Sequence, residues 1–257
     1  MNNNLSVTVL GSSPADTDQL EALLPLLSDE ERSRQSTMRL ASDRWNFALA
    51  HCLLRKELSR WHPSIAPQSW IFERTKTGKP VISAHQQTGI GPLDINITHT
   101  DGLVACAITN CGQVGIDAER WSRDIAIDRL ARDVLTHRER TLIAKLPKDR
   151  QKAAFISHWT LKEASLKATG IGLNVELPSL DCHFANSEQP FSGVANIKGL
   201  PLPGETSGTD RENTGGQIMH LELFERADHA LALAHLGQQA PVSPSLSECR
   251  LSDLLAH

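Results

Sequence analysis

Two long stretches with apolar residues recurring every three or four positions, at 43–60 and at about 149–169, constrain this chain most. In the first, DRWNFALAHCLLRKELSR, the residues Phe47, Ala50, Leu54 and Leu58 fall on one helical face. Asp43 or Ser42 is placed to cap its start, and Pro63 forbids its continuation. Each helix is followed by short runs that read as strands. After the first they lie at 70–73, 80–83, 93–98, 103–109 and 114–119, and after the second near 180–184, 191–197, 218–224 and 230–236. A strand at 5–10 and helices at 18–31 and about 125–145 complete the pattern. Helices and strands segregated twice over predict an α+β fold of two similar halves, 1–112 and 113–237. Residues 199–216, rich in Pro, Gly, Ser and Thr, read as a long loop, and 238–257, polar with two prolines, as a loosely attached tail.

The 257 residues are enough for one large or two small cores. Tyrosine is absent and aromatics make up only 4%, so those cores are expected to rest on Leu, Ala, Ile and Val. No apolar run approaches the roughly 18–20 residues that span a bilayer. The N-terminus, MNNNLSVTVLGSSPAD, lacks the basic and apolar regions of a signal peptide, so a cytoplasmic location and no membrane partner are expected. Five cysteines without a C-x-x-C pair indicate buried thiols rather than a disulfide framework or a zinc site. The net charge of −4 gives no reason to expect nucleic acid. Residues 32–60, however, carry seven basic side chains against two acidic ones. That stretch fits either a small anionic ligand or acidic partner, or a solvated helix face.

The chemistry concentrates in two motifs. In VGIDAER, Asp117 and Glu119 are two apart, so on a strand they share a face. Paired carboxylates repel and call for a cation; hard oxygen donors suit Mg²⁺ shared with substrate phosphates. Gly115 would let another backbone approach closely. An exposed strand with two solvated acids is the bland alternative. In HWTLKEASLKATG, Trp159, Glu163 and Lys167 step by four along one helical stripe. A Glu–Lys surface pair worth about 0.3–0.5 kcal/mol would explain the last two. Tryptophan on the stripe argues for partial burial, hence for a cleft wall. If Glu163 faces Asp117 and Glu119 across a cleft, with Trp159 packed beneath, three acids and a lysine make a metal–diphosphate site.

Other fragments suit phosphate. ERTKTGKP offers Arg74, Lys76 and Lys79 around Gly78 without Walker spacing; a basic hairpin turn is its simpler reading. NITHT places His99 and Thr98 at a strand end, where ligand groups gather, although a lone histidine is commonly structural. TGIG at 169–172 follows a helix and reads as its C-cap; TGIG at 88–91 resembles a nucleotide loop only superficially.

Together, TGKP (77–80), NITHT (96–100), VGIDAE (114–119) and WTLKEASLKATGIGL (159–173) resemble, in order, the motifs of the 4′-phosphopantetheinyl transferases, specifically the larger monomeric type that activates surfactin-like synthetases. DRWNFALAHCLLR (43–55) is similar to that family's early helix, and the resemblance covers about residues 30–175. The resemblance implies two α+β halves related by a pseudo-twofold axis with coenzyme A between them. It implies transfer of the phosphopantetheine arm to a serine of an apo acyl or peptidyl carrier protein, releasing adenosine 3′,5′-bisphosphate. Asp117, Glu119 and Glu163 would then hold Mg²⁺, with Asp117 also at the coenzyme. Glu163 would serve as base toward the carrier serine, directly or through water, and Lys167 would meet the leaving phosphate. Thr98 and His99 would contact nucleotide phosphates, with Arg74, Lys76, Gly78, Lys79 and Pro80 lining the nucleotide site. Two departures stand out. Thr98 replaces a serine common in the family. TMRLASDR also lacks the family's lysines before the early helix, which leaves that duty to Arg39 or Arg44. The same acids would also serve a Mg²⁺-dependent nucleotide or diphosphate hydrolase, and a catalytically silent carrier-binding protein is the alternative outside enzymes.

Overall fold

Residues 4–13, 17–172, 175–184, 193–198, 218–238 and 244–256 are described by the structure, a computed structural model. In chain order they form β1 (Leu5–Gly11), α1 (Thr17–Leu23), α2 (Asp29–Ser36), α3 (Ala41–Trp61), β2 (Phe72–Arg74), β3 (Pro80–Ile82), α4 (Ala84–Ile90), β4 (Asp94–Thr100), β5 (Leu103–Thr109) and β6 (Gln113–Arg120). Then come α5 (Ile127–Val134), α6 (His137–Ala144), α7 (Lys148–Thr169), β7 (Asp181–Phe184), β8 (Gly193–Lys198), β9 (Ile218–Arg226), β10 (His229–Gly237), β11 (Ser245–Cys249) and α8 (Leu251–Leu255). The chain is α+β and divides into two compact units. One comprises Met1–Thr75, Pro80–Cys111 and Val242–His257; the other comprises Lys76–Lys79 and Gly112–Pro241. The loop expected at 199–216 lies outside the described residues.

In the first unit a sheet of order β11-β1-β5-β4 carries α3. β5 pairs antiparallel with both β1 and β4, while β11 runs parallel to β1. α3 is buried over most of its length from Trp45 to Leu58, and Leu49, Leu53 and Leu54 pack with Ile95, Val104 and Ile108 of the sheet. Neither Ser42 nor Asp43 caps α3; the helix begins at Ala41, ahead of both, after an extended Leu40 with no side-chain cap. The helix expected at 18–31 is interrupted, because Pro25 opens a tight turn and Ser28 starts a new helix through a capping box with Glu31. Glu31 is then buried against His51 (2.8 Å) and Arg55 (2.7 Å), and Arg55 also donates to the carbonyls of Pro67 (3.0 Å) and Trp70 (2.9 Å). Burial alone would raise the Glu31 carboxyl; hydrogen bonding and charge from His51, with charge from Arg55, outweigh it and hold it at about 2.

The tail is a correction. Residues 238–257 were expected to be loosely attached, but 245–249 pair with β1 and α8 buries Leu254. Lys56 of α3 donates to the carbonyl of Ala256. Short polar sequence hides such an edge strand, because its partner lies some 240 residues away and the pairing is made by backbone groups.

In the second unit the sheet order is β6-β10-β9-β8-β7, antiparallel throughout, with α7 across it. The helix expected at 125–145 is two helices: Thr136 breaks it with a second capping box to Glu139. Phe155, Ile156, Leu161 and Ala164 of α7 share a core with Leu221 and Leu223 of β9 and Ala230, Ala232 and Ala234 of β10. Alanines on β10 let the helix lie close. α7 ends at Gly170 in the left-handed region (φ 67°), whose N–H donates to Leu166, so TGIG at 169–172 is a C-cap. TGIG at 88–91 is instead the end of α4, with Gly91 as its cap. The described cysteines are free thiols, four of them buried. Among the described residues no helix is long and apolar enough to cross a membrane.

Candidate active site

The site is built on the odd-numbered face of β6. Gly115, Asp117 and Glu119 alternate with buried Val114, Ile116 and Ala118. A Cβ at Gly115 would stand 2.0 Å from the carbonyl oxygen of Ala164 and 2.4 Å from the nitrogen of Ala168, both in α7. Only glycine permits this contact, and the contact brings Glu163 and Lys167 to the two acids.

Lys167 reaches back across it. Its Nζ lies 2.7 Å from Asp117 Oδ1 and 3.1 Å from the carbonyl of Ile116. Glu119 is held by Arg123, whose Nη1 donates at 2.7 and 2.6 Å to the two carboxylate oxygens. The Arg123 guanidinium lies over Trp159, 5.0 Å from the ring centre, and Trp159 meets Phe155 edge-on at 5.7 Å. Glu163 feels both other acids. Burial and the Asp117 and Glu119 charges raise its carboxyl above the ordinary range despite Lys167. Burial and Asp117 raise Glu119 too, against the pull of Arg123. The pocket therefore holds more negative charge than its surroundings relieve.

That excess is what a hard divalent cation would offset, and three carboxylates are the oxygen donors it prefers. Among the described residues no three such side chains already converge at ligand positions. Instead, ammonium and guanidinium groups engage Asp117 and Glu119. The donor set thus fits Mg²⁺ in charge and chemistry.

The TGK segment joins this unit. Thr77 donates to the carbonyl of Gly170 at 2.7 Å, and Lys79 Nζ to that of Val114 at 3.0 Å, while Lys76 and Gly78 are exposed. Arg39, Arg44, Arg74, Pro80, Thr98 and His99 belong to the first unit. There Thr98 is buried on β4 and His99 exposed. Arg44 donates to the carbonyls of Met38 (2.9 Å) and Arg39 (3.3 Å), closing the turn before α3. Burial and the neighbouring Arg34 guanidinium lower the Arg74 value, a proximity that no spacing in the sequence announces.

Three neighbours of the site residues, Arg123, Lys162 and Glu139, were not singled out by their spacing. Arg123 was legible as Glu-x-x-x-Arg at the end of β6. Lys162, beside Glu163, is fully buried; it pairs with Glu139 at 2.6 Å and donates to the carbonyls of Val134 (2.7 Å) and Leu177 (3.2 Å). Glu139 accepts further from the amides of Thr136 (2.8 Å) and Cys182 (2.7 Å), so this pair fastens α7 to α6 and β7.

Residues 113–234 match the family model described as the 4′-phosphopantetheinyl transferase superfamily, and residues 13–111 match that for the N-terminal part of 4′-phosphopantetheinyl transferase. The chain belongs to the 4′-phosphopantetheinyl transferase superfamily. Its relatives within that superfamily include the 4′-phosphopantetheinyl transferase HetI of Nostoc sp., 30% identical over 155 residues, 60% of this chain and 64% of that protein. The 4′-phosphopantetheinyl transferase psf-1 of Bacillus pumilus is 29% identical over 66% of this chain and 70% of its own. Sfp of Bacillus subtilis, also named a 4′-phosphopantetheinyl transferase, is 26% identical over 65% and 70%. The match thus spans a little under two thirds of HetI and somewhat more of the other two. In this superfamily member the family model matched by residues 113–234 begins at β6 and ends in β10, and so takes in the whole acid-bearing face with α7.

Proposed function

We propose that this protein transfers the 4′-phosphopantetheine arm of coenzyme A to a serine of an apo acyl or peptidyl carrier protein, releasing adenosine 3′,5′-bisphosphate. The observation that carries the reading is the contact at Gly115, which sets Glu163 and Lys167 of α7 beside Asp117 and Glu119 of β6. Family membership supplies the reaction class.

In the reaction the serine oxygen forms a bond to the phosphorus that bears the pantetheine arm, and the bond from that phosphorus to the bridging oxygen breaks. Glu163 takes the serine proton, directly or through water. Lys167 stabilises or protonates the departing phosphate oxygen; its hold on Asp117 keeps the ammonium at the site. A bound Mg²⁺, held by Asp117, Glu119 and Glu163, would supply charge neutralisation at the diphosphate. Arg74, Lys76, Gly78, Lys79, Pro80, Thr98 and His99, with Arg39 or Arg44, are assigned to the nucleotide and its phosphates. Positioning and charge dominate such a transfer, which suits a site with no covalent nucleophile. The same reading takes the protein as a cytoplasmic monomer without nucleic-acid or membrane partners.

The test is incubation with coenzyme A, Mg²⁺ and several apo carrier proteins, followed by intact mass. A phosphopantetheine adduct is expected. Consumption of coenzyme A by water with no adduct would point to a hydrolase, and binding without turnover to a silent carrier-binding protein.

A further inference from the structure

We infer that Arg123 is an internal counter-ion that occupies Glu119 until a divalent cation displaces it, and so sets the cation concentration at which the site loads. The inference rests on the metal assignment proposed above and concerns what this chain does at the site before a cation arrives.

Three observations carry it. First, Arg123 engages both oxygens of Glu119, at 2.7 and 2.6 Å, the atoms a cation would need. Second, the turn that delivers Arg123 is built. The Arg123 amide donates to the carbonyl of Arg120 (3.1 Å), the amide of Trp121 to that of Asp228 (2.8 Å), and Arg120 Nε and the Ser122 hydroxyl both donate to the Asp228 carboxylate, the former at 2.7 Å. The base of the turn is thus pinned to the β9–β10 connection, while the Arg123 side chain itself is 44% exposed. Third, the guanidinium stacks over Trp159, one helical turn before Glu163 on α7. Arg123 therefore bridges both elements that carry the acids. A cation that takes Glu119 exchanges with the guanidinium, and the stack on Trp159 is lost in the same event.

Two measurements on the whole protein test this. Free Mn²⁺ is followed by electron paramagnetic resonance during titration of the wild type, Arg123→Ala and Asp117→Ala. An exposed ion pair reinforced by a cation–π contact predicts binding about three- to tenfold tighter in Arg123→Ala. Asp117→Ala should lose binding. In parallel, tryptophan emission is read during Mg²⁺ titration: the wild type should change as the cation loads, and Trp159→Phe and Arg123→Ala should not. Equal or weaker Mn²⁺ binding by Arg123→Ala overturns the proposal. So does loading of the wild type without any Trp159 signal, which would reduce a gain in affinity to a change in net charge. If Asp117→Ala binds as the wild type does, or neither the wild type nor any variant binds, the metal assignment itself fails; wild-type binding lost in Asp117→Ala with no gain in Arg123→Ala refutes the counter-ion alone.

Discussion

Replacing Gly115 by alanine tests the contact on which the candidate site depends. The added methyl carbon would meet the Ala164 carbonyl oxygen at 2.0 Å and the Ala168 nitrogen at 2.4 Å. Both are backbone atoms of a long helix, so no side chain can turn aside; α7 must retreat from β6 by about 1 Å or more to restore ordinary contact distances. Overpacking of this kind costs about 1–3 kcal/mol of stability. The retreat would also open the 2.7 Å contact of Lys167 with Asp117 and draw Glu163 away from the two strand acids. A displacement of about 1 Å at reacting groups costs on the order of 100-fold in rate. The assay is the initial rate of holo-carrier formation, with urea unfolding alongside. Gly11→Ala is the matched control, since a Cβ there meets nothing within 4 Å. If Gly115→Ala keeps its rate within about threefold of wild type while unfolding normally, then the close approach of α7 does not create the site and the reasoning is wrong.

Asp117→Ala should lower transfer by more than about 100-fold yet leave the fold nearly intact, because its ion pair with Lys167 is partly exposed and worth at most about 1 kcal/mol; undiminished transfer removes the metal assignment. Lys162→Met strands the Glu139 carboxylate in a fully buried place with amide donors alone, for an expected loss of about 3–5 kcal/mol by urea denaturation; a loss under about 1 kcal/mol would show the pair to be dispensable. Glu31, held at about 2 when folded and ordinary when unfolded, contributes stability above its unfolded value, on the order of 3 kcal/mol. That contribution declines as pH falls through the unfolded value toward 2 and is gone below it. Glu31→Gln should flatten the acid limb of stability against pH, and an unchanged limb refutes the assignment.

The elements read most directly from the sequence were those whose burial imposes a period. α3 and α7 repeat apolar residues every three or four positions against one sheet each, β5 is a nearly continuous apolar run buried along its length, and β4 and β6 set apolar residues between polar ones. Errors arose where a local signal cut a longer period. Ser28–Glu31 and Thr136–Glu139 are complete capping boxes, readable in advance, yet the surrounding spacing still looked like one helix. β11 was illegible for another reason: a polar edge strand takes its order from a distant backbone. At the site, the sequence placed Asp117 and Glu119 on one strand face and Glu163 and Lys167 on one helix stripe. It did not reveal that Lys167 lies against Asp117, or that Arg123 lies against Glu119, because both contacts depend on how closely Gly115 lets the helix come. Nothing in the spacing marks Lys162 as buried; its three oxygen partners come from α5, α6 and the segment after α7.

The parallel pairing of β11 with β1 also fixes an order of events during synthesis. β1 is translated before every other described strand, whereas its outer neighbour is translated after the whole of β6 through β10. For most of translation β1 stands as an open sheet edge, a template for mispairing with other chains. The first unit is thus begun before the second and closed after it, so loss of β11 and α8 alone would fall on the unit whose first strand precedes all the others.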